Sequence, residues 1–323
     1  MATATDVVEA QLEERQFEGR RPASLWRDTM RQILRQRSAL AGLLLLGVLV
    51  FAALSADVLA PYDPEAQLYS IPGATRQAGP CVHALGCPAD KPQFLMGLDS
   101  NARDLFSRVL HGSRISLQVG VITVSFAIIV GTLIGAVAGY AGGWVDNVFM
   151  RIMDVLLAFP ALILAIAVSL AVTAADIPLL DDKLRAAMFA VGIVAIPVYA
   201  RVMRASVLSI RERDFVSASR ALGESGRGIL LRRILPNALT PLIVQGSLGI
   251  AGAILEVAAL SFLGLGAEPP TPEWGSMIGG DRNSIFTAPH LIVFPGIALS
   301  LSVLGFNLLG DGLRDALDPR LNR

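Results

Sequence analysis

Lysine is nearly absent. The chain has two in 323 residues, Lys91 and Lys183, and each directly follows an aspartate. A phosphate-binding loop needs Gly-Lys-Ser or Gly-Lys-Thr, so the chain holds none and is not itself a P-loop ATPase. Histidine is almost as scarce. His83, His111 and His290 are scattered and no His-Glu-x-x-His occurs, which argues against a catalytic metal. Charged residues make up only 17%, and the 27 basic cancel the 27 acidic, so bulk charge says nothing of nucleic acid. Basic and aromatic patterning for nucleic acid is missing too. The first residues are polar and acidic before they turn basic, unlike a cleavable signal peptide.

What is abundant is apolar. With 53% hydrophobic residues and a mean hydropathy of +0.57, the composition is that of a polytopic membrane protein. Six apolar stretches fall at about 38–58, 115–138, 147–173, 185–207, 237–265 and 289–311. Each is near the roughly 20 residues that cross a bilayer. Pro160 interrupts the third and Pro197 the fourth, which neighbouring helices can accommodate. The expected fold is all-α with six transmembrane helices. Before the first span, Leu25, Trp26, Met30, Ile33 and Leu34 alternate with arginines. That reads either as an amphipathic helix on the membrane surface or as the polar start of the span.

Arginine placement orients the chain. The N-terminal segment holds Arg15, Arg20, Arg21, Arg27, Arg31, Arg35 and Arg37, and the loop after the fourth stretch holds Arg211, Arg213, Arg220, Arg227, Arg232 and Arg233. Four spans separate the two regions, so they share a side, expected to be cytoplasmic along with both termini. The segment Ala56 to Ser113 is then external, and reads as an irregular cap with a short helix near its end. Cys81 and Cys87 lie in it, where oxidation persists, and are disulfide candidates.

The most informative stretch is Asp214 to Asn237, DFVSASRALGESGRGILLRRILPN. Phe215 to Leu222 can form a short helix, Gly223 breaks it, and Gly226 and Gly228 loosen the chain beyond the break. A second helical piece runs to Pro236, which can open the next span. The excursion reads as a docking knob for a cytosolic partner or as an ordinary solvated loop. Gly223 would serve a sharp turn under a docked surface, or relieve crowding within the chain. Gly223-Glu224-Ser225-Gly226 also matches the GxSG of intramembrane proteases, but in an arginine-rich loop and not at the start of an apolar helix.

This stretch resembles the signature loop of ABC-importer permeases: Glu-Ala-Ala, three residues, Gly, nine residues, Ile, one residue, Leu-Pro. Gly223 stands the expected distance before Leu235-Pro236 and Ala218 matches the middle of the triad. Ser217 replaces the glutamate, Ser219 the second alanine, and Ile234 sits one place late. Three further blocks are similar to the dipeptide, oligopeptide and nickel permeases. They are Gly97, Asp99, Arg103 and Asp104 before the second span; Ser261 to Gly275 (SFLGLGAEPPTPEWG) after the fifth; and Phe306 to Arg320 (FNLLGDGLRDALDPR) at the end. Asp99 or Ser100 would cap a surface helix there.

The resemblance, over roughly 95 to 320, implies a type I importer permease fold and no catalytic site in this chain. In that family the loop is a coupling helix seated in a cleft of an ATPase. Phe215, Ser217, Ala218, Arg220, Ala221 and Gly223 are the residues expected to make that contact. ATP and Mg would be bound by two partner ATPase subunits, and a paralogous permease and an external solute-binding protein would complete the assembly. Di- or oligopeptides are the expected substrate. Nickel chelates, glycosides or oligosaccharides, or an ATP-independent channel or carrier, are the alternatives. The chain then divides into a cytoplasmic tail (1–37), a first span with external insert (38–114), a permease core (115–312) with the coupling loop (214–237), and a cytoplasmic tail (313–323). Within the fifth span Glu256 is costly in lipid, so it faces protein or water: either it lines the substrate path, or it is protonated or hydrogen-bonded between helices.

Overall fold

The computed structural model describes residues 36–317, and its named elements are all helical. The segment read as amphipathic before Gln36 and the tail after Leu317 lie outside the described residues. In chain order the helices are α1 (Arg37–Leu54), α2 (Ala56–Leu59), α3 (Leu105–Ala141), α4 (Gly143–Leu157), α5 (Ala161–Ala174) and α6 (Lys183–Arg211). Next come α7 (Asp214–Ala221), α8 (Gly226–Gly228), a π-helical stretch (Ile229–Ile234), α9 (Leu235–Ala238), α10 (Thr240–Phe262), α11 (Trp274–Asp281) and α12 (His290–Leu317).

Five of these, α1, α3, α6, α10 and α12, are long and apolar enough to cross a membrane. The third stretch, expected as one span over 147–173, is instead α4 and α5, bent by 98°; only as a pair do they make a sixth. Pro160 is the cause. It has no N–H to donate, its ring clashes with the carbonyl four residues back, and it drives Phe159 out of helical geometry. Ala158 N–H closes α4 on Asp154 O at 3.0 Å, and Leu164 N–H opens α5 on Pro160 O at 3.0 Å. Pro197 and Pro295, in contrast, stay inside α6 and α12. Two smaller expectations also change. Gly226 and Gly228 are helical rather than loose, and α10 opens at Thr240–Pro241, after Pro236 has been taken into α9.

The second span starts earlier than expected. At 37 residues α3 is about 55 Å long. It begins at Leu105 because Asp104, and not Asp99 or Ser100, caps it: Asp104 Oδ2 accepts from Ser107 N at 2.8 Å. The centre of the bundle is the packing of α3 on α6. Gly131, Gly135 and Gly139 form the contact strip. A Cβ on Gly131 would lie 2.7 Å from Tyr199 Cβ, and one on Gly139 3.0 Å from Arg204 O. Close approach of the two backbones therefore requires glycine. Val124, Tyr199, Met203, Val207, Val257 and Leu260 form the buried core around it. α11 is wedged against α10 and α12, and its Trp274 Nε1 donates to Val109 O on α3 at 3.1 Å.

Between α2 and α3 the chain is irregular, with isolated bridges Cys81–Phe94 and Leu98–Asp104. Leu68, Ala74, Phe94, Leu98 and Ala102 give this cap a small core of its own. A disulfide joins Cys81 to Cys87, their Cα atoms 5.3 Å apart. The cap marks one end of the bundle and the 214–237 loop the other, since the cap leads into the start of α3 and Gly226 touches Tyr140 at its finish.

Candidate functional site

At the loop end α6 stops at Arg211, and only Glu212 and Arg213 separate it from α7. Asp214 in the first turn and Arg220 in the last suit the helix dipole. Val216 and Ser219 are buried on one side; Val216 joins Ile229 and Ile234 in the main core. The late isoleucine of the signature is thus a core anchor. On the other side Phe215 is 42% and Leu222 89% exposed, with Ser217, Ala218, Arg220 and Ala221 open around them.

The turn has a defined form. Gly223 N–H donates to Arg220 O at 3.1 Å and Glu224 N–H to Ser219 O at 3.1 Å. This double closure, with the glycine at φ +80°, is a Schellman ending. A Cβ at Gly223 would meet nothing within 4 Å, so backbone conformation and not crowding calls for glycine here. Ser225 Oγ then accepts from Gly228 N at 3.2 Å, and Arg233 pairs with Glu224 at 3.1 Å. The serine of the GxSG match is thus a helix cap. His290 packs against Gly97, before the far end of α3, so the protease reading has no histidine at this serine.

Behind the loop, α6 is tied to its neighbours by three arginines, of which the sequence pointed only to Arg211, for its place in the basic loop. Arg204 Nε and Nη2 donate to the two carboxylate oxygens of Asp146 on α4, each at 2.5 Å. Arg201 pairs with Asp154 on the same helix, and Arg211 Nη1 donates to Gly139 O at 3.2 Å. The available signal was two carboxylates, Asp146 just before and Asp154 inside the third apolar stretch, and two arginines inside the fourth, all of which need protein or water as neighbours.

Glu256, the acidic residue expected in the fifth span, is half-buried in α10. One face of the same helix carries Gly249, pressed against the Tyr199 hydroxyl. Glu256 lies far along α10 from the 214–237 loop and is not brought together with it.

The cap end is polar in a different manner. Asp99, 3% exposed, accepts from Asn101 N and Arg103 N at 2.8 Å each and from Arg103 Nε at 2.7 Å. Arg108, also 3% exposed, lies 3.5 Å from Asp99 and donates to Pro64 O at 2.8 Å and Pro270 O at 3.0 Å. Ser100 donates to Asp281 at the end of α11, and Gln77 bridges Ser100 at 3.0 Å and Ser284 at 2.7 Å. Burial pushes the Asp281 carboxyl above the ordinary range, and likewise Glu273, which caps α11 through Gly275 N and Ser276 N. The Asp99 and Arg103 of the sequence pattern are therefore internal struts.

The chain matches the family model of the binding-protein-dependent transport system inner membrane component over residues 131–323. It also matches that of the N-terminal TM domain of oligopeptide transport permease C over 24–78. It is 40% identical over 298 residues to the dipeptide transport system permease protein DppC of Alkalihalophilus pseudofirmus, covering 92% of this chain and 91% of that protein. The glutathione transport system permease protein GsiD of Pectobacterium atrosepticum is 41% identical over 296 residues, again 92% and 91%. The di/tripeptide transport system permease protein DppC of Pseudomonas aeruginosa is 41% identical over 288 residues, 88% and 89%. In structure, a chain of the inward-facing MetNI methionine ABC transporter superposes with a TM-score of 0.54 at 18% identity, covering 65% of this chain and 97% of that one. The helical order and matches over most of its length make this chain a member of the family of inner-membrane permease components of binding-protein-dependent ABC importers, with the type I permease fold.

Proposed function

We propose that this chain forms half of the membrane path of an ATP-driven importer for di- or oligopeptides. Its 214–237 loop is the coupling helix. ATP and Mg are handled by two ATPase subunits, and a paralogous permease supplies the other half of the path. A solute-binding protein delivers substrate at the cap end, and the loop end with both termini is cytoplasmic. The carrying observation is the two-sidedness of α7. Val216 and Ser219 fix it to the bundle, while Phe215, Ala218, Ala221 and Leu222 form an exposed apolar face that nothing in this chain covers among the described residues. An apolar face on a loop rich in arginine suits a water-soluble protein partner better than water. The peptide assignment is supported by the names of the relatives, transporters of dipeptides, tripeptides and glutathione.

The test is ligand identification on the cognate binding protein, followed by uptake into vesicles that hold the complete importer. Bound short peptides, and uptake that stops without ATP, are expected. A bound metal chelate or sugar would change the substrate, and uptake indifferent to ATP would overturn the importer reading.

A further inference from the structure

Two ion pairs join the broken helix to the helix that feeds the loop. Arg204 holds Asp146 at two points, 2.5 Å each, and Arg201 pairs with Asp154. The carboxylates are eight residues apart on α4, about 12 Å of helix, whereas the arginines are three apart on α6, about 4.5 Å. The two pairs thus tie α4 to α6 at two separate points. One pair would leave it free to swivel; two fix its angle.

Both ends of α4 are joints. Gly142 and Gly143, at φ +65° and +56°, lead in from α3, and the exposed break at Ala158, Phe159 and Pro160 leads out to α5. On the other side, α6 passes stiffly into α7: Arg213 N–H donates to Ile210 O at 3.0 Å and Val216 N–H to Arg213 O at 3.0 Å, with Val216 buried. A displacement of α7 is thus handed to the last turns of α6, where the two arginines sit.

We propose that Asp146–Arg204 and Asp154–Arg201 are the linkage through which α4 follows α6, so that movement at the 214–237 loop swings α4 about its two joints. The inference rests on the coupling reading of that loop. These four are positioning residues, acting through helix geometry and not on substrate.

The experiment uses the complete importer in vesicles, with the double variant D146N/D154N. Membrane abundance, co-purified ATPase and ATP hydrolysis should stay near those of the unaltered protein, while peptide uptake per ATP hydrolysed falls about 5-fold or more. Exchanging one pair, D146R/R204D, should recover most of what D146N loses. Unchanged uptake per ATP in the double variant, or a loss that only follows abundance, would overturn the proposal. Should the double variant insert poorly, R204K decides. It keeps the charge but cannot hold both oxygens at once, so uptake per ATP should fall about 2-fold, and no change counts against the linkage. Failure of the underlying reading looks different. An ATPase that does not bind the unaltered chain at its loop would remove the load and the linkage with it.

Discussion

The two ends of this molecule use charge in opposite ways. At the cap end Asp99, Arg103 and Arg108 are nearly out of water and satisfied by one another and by backbone carbonyls. At the loop end Arg213, Arg220, Arg227 and Arg232 are exposed. Buried charge is costly to strand, so it fixes one geometry. Exposed charge contributes little to stability and is available for encounter and orientation. The cap end is therefore built to hold its shape and the loop end to meet something.

Variants at the two ends should separate stability from docking. The largest effect belongs to Arg108→Ala, which leaves the Pro64 and Pro270 carbonyls without their donor and takes from Asp99 the more distant of its two arginines. Thermal unfolding in detergent should show a loss of about 2–4 kcal/mol, from two part-buried acceptors left unsatisfied, and a loss below about 1 kcal/mol would mean that the network is dispensable. Next is the disulfide. Replacing Cys81 and Cys87 by serine opens a small ring in the cap and should cost about 2–2.5 kcal/mol, read from the same unfolding curves. Unaltered curves would show that the cap core stands without it.

Phe215→Ser and Leu222→Ser should change stability by no more than about 0.5 kcal/mol, yet reduce co-purified ATPase. If both variants unfold readily, the face is part of this chain's own core. The smallest effect concerns Asp57, beside α3. Hydrogen bonds from the Arg114 guanidinium and then the His111 ring hold its carboxyl below the usual 3.8. A depressed acid stabilises above its unfolded value and loses that contribution as pH falls through the folded one. The unfolding difference between the native chain and Asp57→Asn should therefore shrink below about pH 4. A difference that persists to low pH would exclude the ion pair as its source.

Legibility followed the range of the forces involved. Apolar length marked α1, α3, α6, α10 and α12, because a bilayer needs a set number of residues and hydropathy is local. Gly131, Gly135 and Gly139, four residues apart, are a local pattern of the same kind, and the helix they approach is α6. Pro160 was visible, but whether a proline is absorbed or breaks a helix depends on what packs around it: Pro197 and Pro160 look alike in sequence and behave differently. The cap of α3 was misplaced because Asp99, Ser100 and Asp104 are all able caps, and the buried arginines had already claimed Asp99. At the loop, Gly223 and the leucine-proline spacing were readable. The partnership of Asp146 with Arg204 was not, since it joins residues 58 apart in the chain.

The central claim is that the exposed face of α7 meets an ATPase. A photo-crosslinking residue in place of Leu222, 89% exposed, tests it most directly, in membranes that hold the whole importer. One adduct is expected, with the ATPase subunit. It should weaken when Gly223→Leu, strained at φ +80° by about 1–2 kcal/mol, misdirects the loop without removing the chain from the membrane. Adducts with lipid alone, or with the external binding protein, would contradict the coupling assignment.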